Sequence, residues 1–168
     1  MQKKVFIGCG AGFSGDRFDA SIAIVKEFRN ISEPKYLMFE VLAERTLAIA
    51  QQYRIKNPDE GYSPFLDSYI KPIIDDCLKH NIKIISNIGA ANPLGAAKKI
   101  LEIAKEKKTR KPKIGVVVGD DLLEYMTNKE ILESPTMEGL DFSNNQITAA
   151  NVYPVSYTHL TLPTKSSG

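Results

Sequence analysis

Short runs of apolar, often β-branched residues alternate along this chain with longer stretches whose apolar residues recur three and four apart. That alternation restricts the fold more than any other feature, because strand–helix–strand order argues for a parallel sheet with its helices packed on it. Val5-Phe6-Ile7 begins a strand that runs into Gly8, and Phe18, Ile22, Val25 and Phe28 then recur at helical spacing. Tyr36 to Val41 reads as a second strand and Ala43 to Tyr53 as a helix. Ser63-Pro64 opens another helix, with Ser as N-cap and Pro in the first turn. Its apolar repeat runs from Phe65 to Leu78, with a kink expected at Pro72. Ile82 to Ser86 is a third strand, Asn92-Pro93 caps the next helix, and Ile114 to Val118 is a fourth strand. The uninterrupted Ile114-Gly115-Val116-Val117-Val118 suits a strand buried on both sides. The expectation is an α/β domain: a mostly parallel, Rossmann-like sheet with helices on both faces. From Asn128 to Tyr153 the pattern dissolves into polar residues and reads as a loop.

The end of the chain stands apart. Val155 to Thr164 reads VSYTHLTLPT, the peptide that a common transposase sequencing adapter encodes in one frame. Residues 154–168 are therefore read as a non-native tail, and residues 1–153 as the N-terminal part of a truncated α/β domain. Lys165 supplies one of the two net positive charges, so the natural part carries about +1. That balance argues against a nucleic-acid partner. The basic run Lys105 to Lys113 lies where a helix ends, where cations suit the helix dipole, and so does His80. Two cysteines make no disulfide framework and fit a reducing compartment. With no signal peptide visible and no apolar run near the ~20 residues of a membrane span, the expected location is the cytoplasm.

In open α/β sheets ligands bind beyond the carboxyl ends of the strands. Here every strand ends in polar or glycine-rich residues. The first is followed by Gly10-x-Gly12-x-x-Gly15, a match to the dinucleotide fingerprint, then by Asp16 and Arg17. Three readings stay open for this loop: a dinucleotide site, a site for another phosphate or carboxylate, or a tight turn that needs glycine. Asp16 is either a helix N-cap or a functional carboxylate, and Arg17 either clamps an anion or is solvated. Cys9 is read as small buried filler. Glu40 ends the second strand, paired with a cation such as Arg45 or functional, and Glu44 opens the following helix. Ser86-Asn87 and the loop to Asn92 form a second anion-site candidate. Asp120-Asp121 either ligates Mg²⁺ with water and substrate, or Asp120 caps a helix at Leu122 to Met126. No His, Cys or Asp cluster has zinc-ligand spacing. The candidates for chemistry are Asp16, Arg17, Glu44 and Asp120. Those for ligand binding are Gly10, Gly12, Ser14, Gly15, Ser86, Asn87 and Asn92. The residues name no cofactor, and no metal is assigned.

Taken together, these rim motifs resemble the acyclic terpene utilisation (AtuA-like) family of bacterial and fungal catabolic proteins. The resemblance rests on Gly10-Ala11-Gly12-Phe13-Ser14-Gly15-Asp16-Arg17, Leu42-Ala43-Glu44-Arg45-Thr46 and Gly61-Tyr62. It continues through Ser86-Asn87-Ile88-Gly89-Ala90-Ala91-Asn92-Pro93-Leu94-Gly95 and Gly119-Asp120-Asp121-Leu122. Met38-Phe39-Glu40-Val41 departs from the family's Gly/Asp-rich second strand. The resemblance implies an enzyme of branched acyclic terpenoid breakdown acting on acyl-CoA or hydroxy-acid intermediates, with a small-molecule substrate, no membrane partner, and oligomerisation open. Two alternatives stand beside it: a nucleotide-dependent oxidoreductase half, and a non-catalytic subunit of a carboxylase or hydratase system. A fragment of such an enzyme is expected to be inactive by itself.

Overall fold

The computed structural model describes residues 4–134 and 147–152, which divide into two compact units at Val117/Val118. Residues 135–146 of the expected loop, and Tyr153 with the expected non-native tail after it, lie outside the described residues.

In the first unit three strands form one parallel sheet in the order β1-β2-β3: β1 (Phe6–Cys9), β2 (Lys35–Phe39) and β3 (Ile82–Ser86). The register pairs Cys9 with Met38 and Phe39 with Ser86, so all three strands end at the same side of the sheet. The helices are α1 (Asp19–Phe28), α2 (Glu44–Lys56), α3 (Leu66–Ile70), α4 (Ile74–Lys79) and α5 (Pro93–Glu106). The single kinked helix expected from Phe65 to Leu78 is two. Pro72 brings no N–H to a helical bond, and the chain turns there through Ile73 N–H to the Ile70 carbonyl before α4 starts. Asn92 caps α5 as expected, its Oδ1 accepting from Gly95 N–H at 2.8 Å.

The core lies on one face of the sheet. Leu37 and Phe39 of β2, Val25 and Phe28 of α1, Leu66, Tyr69 and Ile70 of α3, and Ile103 and Ala104 of α5 form one buried cluster. A fully buried Leu, Ile or Phe side chain contributes about 1.5–3 kcal/mol relative to exposure. Gly8 lets α1 come close, since a Cβ there would meet Ile24 at 2.5 Å.

Two expectations are corrected. First, the opposite face is not covered by helices among the described residues: Ile7 is 71% exposed, Ile85 51% and Met38 44%. The reason is topological. Both crossovers run the same way across the sheet, and right-handed crossovers that do so put their helices on the same face. Second, Ile114–Val118 is no strand, and Val117 is 91% exposed. β-branched density describes a surface that fits a pleat, but a strand also needs a partner edge in register, and this segment pairs with none of the described residues.

In the second unit a 3₁₀ turn spans Leu122–Glu124 and α6 spans Asn128–Glu133. The turn is capped by Asp121, whose Oδ1 accepts from Leu123 N–H, and not by Asp120. Helix α6 replaces the start of the loop expected from Asn128. Thr127 and Glu130 cap it reciprocally, Glu130 Oε2 accepting from Thr127 N–H and Thr127 Oγ1 from Glu130 N–H.

Candidate functional site

The three strand ends bring their loops to one rim of the first unit. Gly10 N–H extends the β1–β2 ladder to the Met38 carbonyl at 2.8 Å, and glycine is needed there because a Cβ would enter the Phe39 ring. Beyond it the loop turns back on itself around Asp16. Asp16 Oδ2 accepts from Gly12 N–H and Oδ1 from Arg17 N–H, each at 2.7 Å. Desolvation pushes the Asp16 carboxyl upward, but the backbone N–H groups, Arg17 and Gly12 foremost, together outweigh it and hold the group below the ordinary carboxylate range. Asp16 therefore does not cap α1: the residue at the N-cap is Phe18, with no side-chain bond.

The loop is fastened by a tyrosine of the apolar helical repeat. Tyr69 is fully buried in α3, and its Oη accepts from Gly15 N–H at 2.8 Å while donating to the Phe13 carbonyl at 3.4 Å. Burial raises its pKa, the Gly15 N–H opposes that, and the Asp16 charge adds to it. The signal was present in the sequence as a tyrosine inside an apolar helical repeat, since a buried hydroxyl needs a partner. Gly15 has φ +81°, and a Cβ there would sit 2.7 Å from the Phe65 ring.

The N–H groups of all three fingerprint glycines are thus taken by acceptors of the protein itself: Met38 O, Asp16 Oδ2 and Tyr69 Oη. A pyrophosphate would have to displace Asp16 to use the middle one.

The ends of β2 and β3 are joined by side chains. Asn87 Oδ1 accepts from Val41 N–H at 2.8 Å, and its Nδ2 donates to Glu40 Oε1 at 2.9 Å. The partner of Glu40 is thus Asn87. Ser86 Oγ donates to the Phe39 carbonyl and accepts from Ile88 N–H. Asn92 Nδ2 holds the Pro58 and Glu60 carbonyls, which docks the loop after α2 onto the start of α5. Arg17 forms a two-pronged bond to Asp19, both residues exposed, and Glu44 stands exposed in the first turn of α2. Ser14 sits half-buried in the glycine loop. Cys9 is exposed, so it is not buried filler, and its Sγ donates to the Ala11 carbonyl at 3.0 Å. His80 ends α4 with Nε2 3.9 Å from Asp76.

So Asp16 bonds Gly12 and Arg17, with Gly15 beside them held by Tyr69, and Asn87 bonds Glu40 next to Ser86 on the same rim. Asp120 belongs to the second unit. There its Oδ2 accepts from Asn151 Nδ2 at 3.0 Å, beside an antiparallel bridge between Asp121 and Asn151. Among the described residues no three His, Cys, Asp or Glu converge as metal ligands, and no helix is long and apolar enough to cross a membrane.

The family model described as acyclic terpene utilisation family protein AtuA matches residues 5–154. No curated protein and no solved structure matches the chain. The match takes in the glycine loop, the Ser86-Asn87 loop and Asp120 together, and the chain belongs to the acyclic terpene utilisation family AtuA, with the broadly catabolic role that membership implies.

Proposed function

We propose that this chain carries the rim of an enzyme site that binds a branched acyl-CoA or hydroxy-acid intermediate of acyclic terpenoid breakdown. The observation that supports it is the bonded group Gly12–Asp16–Arg17. Asp16 spends both carboxylate oxygens on backbone N–H groups, so its part is to hold the loop and set Arg17 beside the strand ends. Arg17 is the anion clamp. Its pair with Asp19 is exposed on both sides, and such solvent-screened pairs contribute little, so a ligand carboxylate or phosphate displaces Asp19 at little cost. Glu44 is the carboxylate left for proton transfer, and Ser86 and Asn87 line the neighbouring loop. The occupied glycine N–H groups weigh against the nucleotide-dependent alternative. Calorimetric titration tests the reading. A branched acyl-CoA is expected to bind, with at least tenfold loss in Arg17→Ala and no loss in Lys98→Ala on the outer side of α5. Equal affinity for the two variants, or binding of a dinucleotide in place of the acyl-CoA, rejects it.

A second reading, a non-catalytic subunit of a carboxylase or hydratase system, is favoured by the uncovered face of the sheet.

A further inference from the structure

Tyr69 is wholly buried, yet its hydroxyl ends against the loop that carries Arg17. It stands in the five-residue α3, in the crossover from β2 to β3, 54 residues from the glycine it meets. A phenylalanine would fill the same space, so what the hydroxyl adds is its two bonds. It accepts from Gly15 N–H at 2.8 Å and donates to the Phe13 carbonyl at 3.4 Å. The same carbonyl accepts from Asp16 N–H at 3.3 Å. Asp16 in turn takes Gly12 N–H and Arg17 N–H on its two carboxylate oxygens. The bonds therefore run unbroken from the core to Arg17: Tyr69 to Phe13 and Gly15, Phe13 to Asp16, and Asp16 to Arg17. Phe65, at the start of α3, lies against the same loop, since a Cβ on Gly15 would meet its ring at 2.7 Å.

We infer that Tyr69 is the positioning residue of the rim site: from the core it selects the loop shape in which Asp16 presents Arg17 to an anionic ligand. This rests on the reading of Arg17 as the anion clamp. A loop with glycine at 10, 12 and 15 has many shapes open to it. Holding one of them before the ligand arrives removes the cost of ordering the loop from the binding step. Tyr69 touches no ligand and moves no proton, because it has no exposed surface; it acts through Phe13 and Gly15. Such a role has a signature that a purely structural tyrosine lacks. Removing the hydroxyl weakens binding only while Arg17 is there to be misplaced, whereas general loosening of the core acts with or without Arg17.

The test compares Tyr69→Phe, Arg17→Ala and the double variant by calorimetric titration of the folded 168-residue chain with isovaleryl-CoA. Ile103→Val is the control, since Ile103 is fully buried in α5, roughly 16 Å along the helix from Asn92, and reports on core loosening alone. Tyr69→Phe is expected to weaken binding about fivefold or more, yet to add less than about twofold to the loss in Arg17→Ala, because residues that act through one network are not additive. Ile103→Val should leave the affinity nearly unchanged. A second measurement needs no ligand: titrated by NMR, the Asp16 carboxyl should move up toward 3.8 in Tyr69→Phe and stay in place in Ile103→Val. The inference is overturned by additive losses in the double variant, by an equal loss in Ile103→Val, or by an Asp16 midpoint that Tyr69→Phe leaves where it was, and each of these leaves the reading of Arg17 standing. A native chain that binds no isovaleryl-CoA rejects that reading instead, and the Asp16 midpoint then decides whether Tyr69 sets the loop.

Discussion

Tyr69 Oη takes the Gly15 N–H at 2.8 Å across 54 residues of sequence, and this bond ties the glycine loop to the hydrophobic core. Around it the Tyr69 ring lies 4.9 Å from Phe18 and 5.2 Å from Phe39, so the hydroxyl is held by packing from two sides. The loop's shape is thus an outcome of core packing as much as of its own glycines.

Tyr69→Phe keeps the ring and removes the acceptor. The Gly15 N–H then loses its partner in a part-buried position, which costs about 1–3 kcal/mol. Urea unfolding should show that loss, and amide exchange should show Gly15 opening faster than the β2 amides. A stability change under 0.5 kcal/mol with unchanged Gly15 exchange would show that water replaces the hydroxyl.

Asp16 is expected to titrate with a midpoint below 3.8, its ordinary value, because its charged form accepts two backbone N–H groups. Its folded pKa is depressed, so the stability it lends is present above the unfolded pKa and is lost as pH falls through the folded one. The Gly12 amide resonance should follow the same midpoint. A midpoint at or above 3.8 would mean that the loop does not hold the carboxylate in solution.

How much of this was legible beforehand depends on the range over which each signal acts. β3 could be read from Ile82 to Ser86 and the start of α5 from Asn92-Pro93, because those signals are local. The capping pair Thr127 and Glu130 is equally local, but it stands in a stretch whose polar composition reads as loop. Ile114–Val118 shows the opposite failure: its composition fits a strand, but pairing depends on what lies beside it. The bonds that build the rim, Tyr69 to Gly15 and Asn87 to Glu40, join residues 54 and 47 apart, and no spacing rule connects them. What could be read was that all the strands deliver their loops to one side, since parallel order alone dictates it.

Gly15 and Gly119 separate two reasons for glycine. Both have positive φ, +81° and +109°, but a Cβ at Gly15 meets Phe65 at 2.7 Å while none of the described residues lies within 4 Å of one at Gly119. Gly119→Ala should cost only the backbone term, about 1–2 kcal/mol. Gly15→Ala adds displacement of the Phe65 ring and should cost clearly more, with altered near-ultraviolet circular dichroism from the aromatic cluster. Equal costs would mean that Phe65 moves aside freely.

Asn87→Asp tests the junction of β2 and β3 with a predictable sign. The new carboxylate still offers an oxygen to Val41 N–H, which Asn87 Oδ1 accepts at 2.8 Å. It loses the amide that donates to Glu40 Oε1 at 2.9 Å and sets a like charge there instead. Two carboxylates at that distance resist ionising together, so in the folded variant one of them has its pKa raised above the unfolded value of about 4. A raised carboxyl contributes stability below its unfolded pKa and loses it as pH rises through the folded one. The gap in urea midpoint between the native chain and Asn87→Asp should therefore be small near pH 4 and widen toward pH 7. Adding Glu40→Gln to the variant should close most of the pH 7 gap, because the repelling partner is gone and an amide can donate again. A gap that stays constant across this range, or that Glu40→Gln leaves in place, would show that Glu40 turns away into solvent and that Val41 N–H alone fixes Asn87.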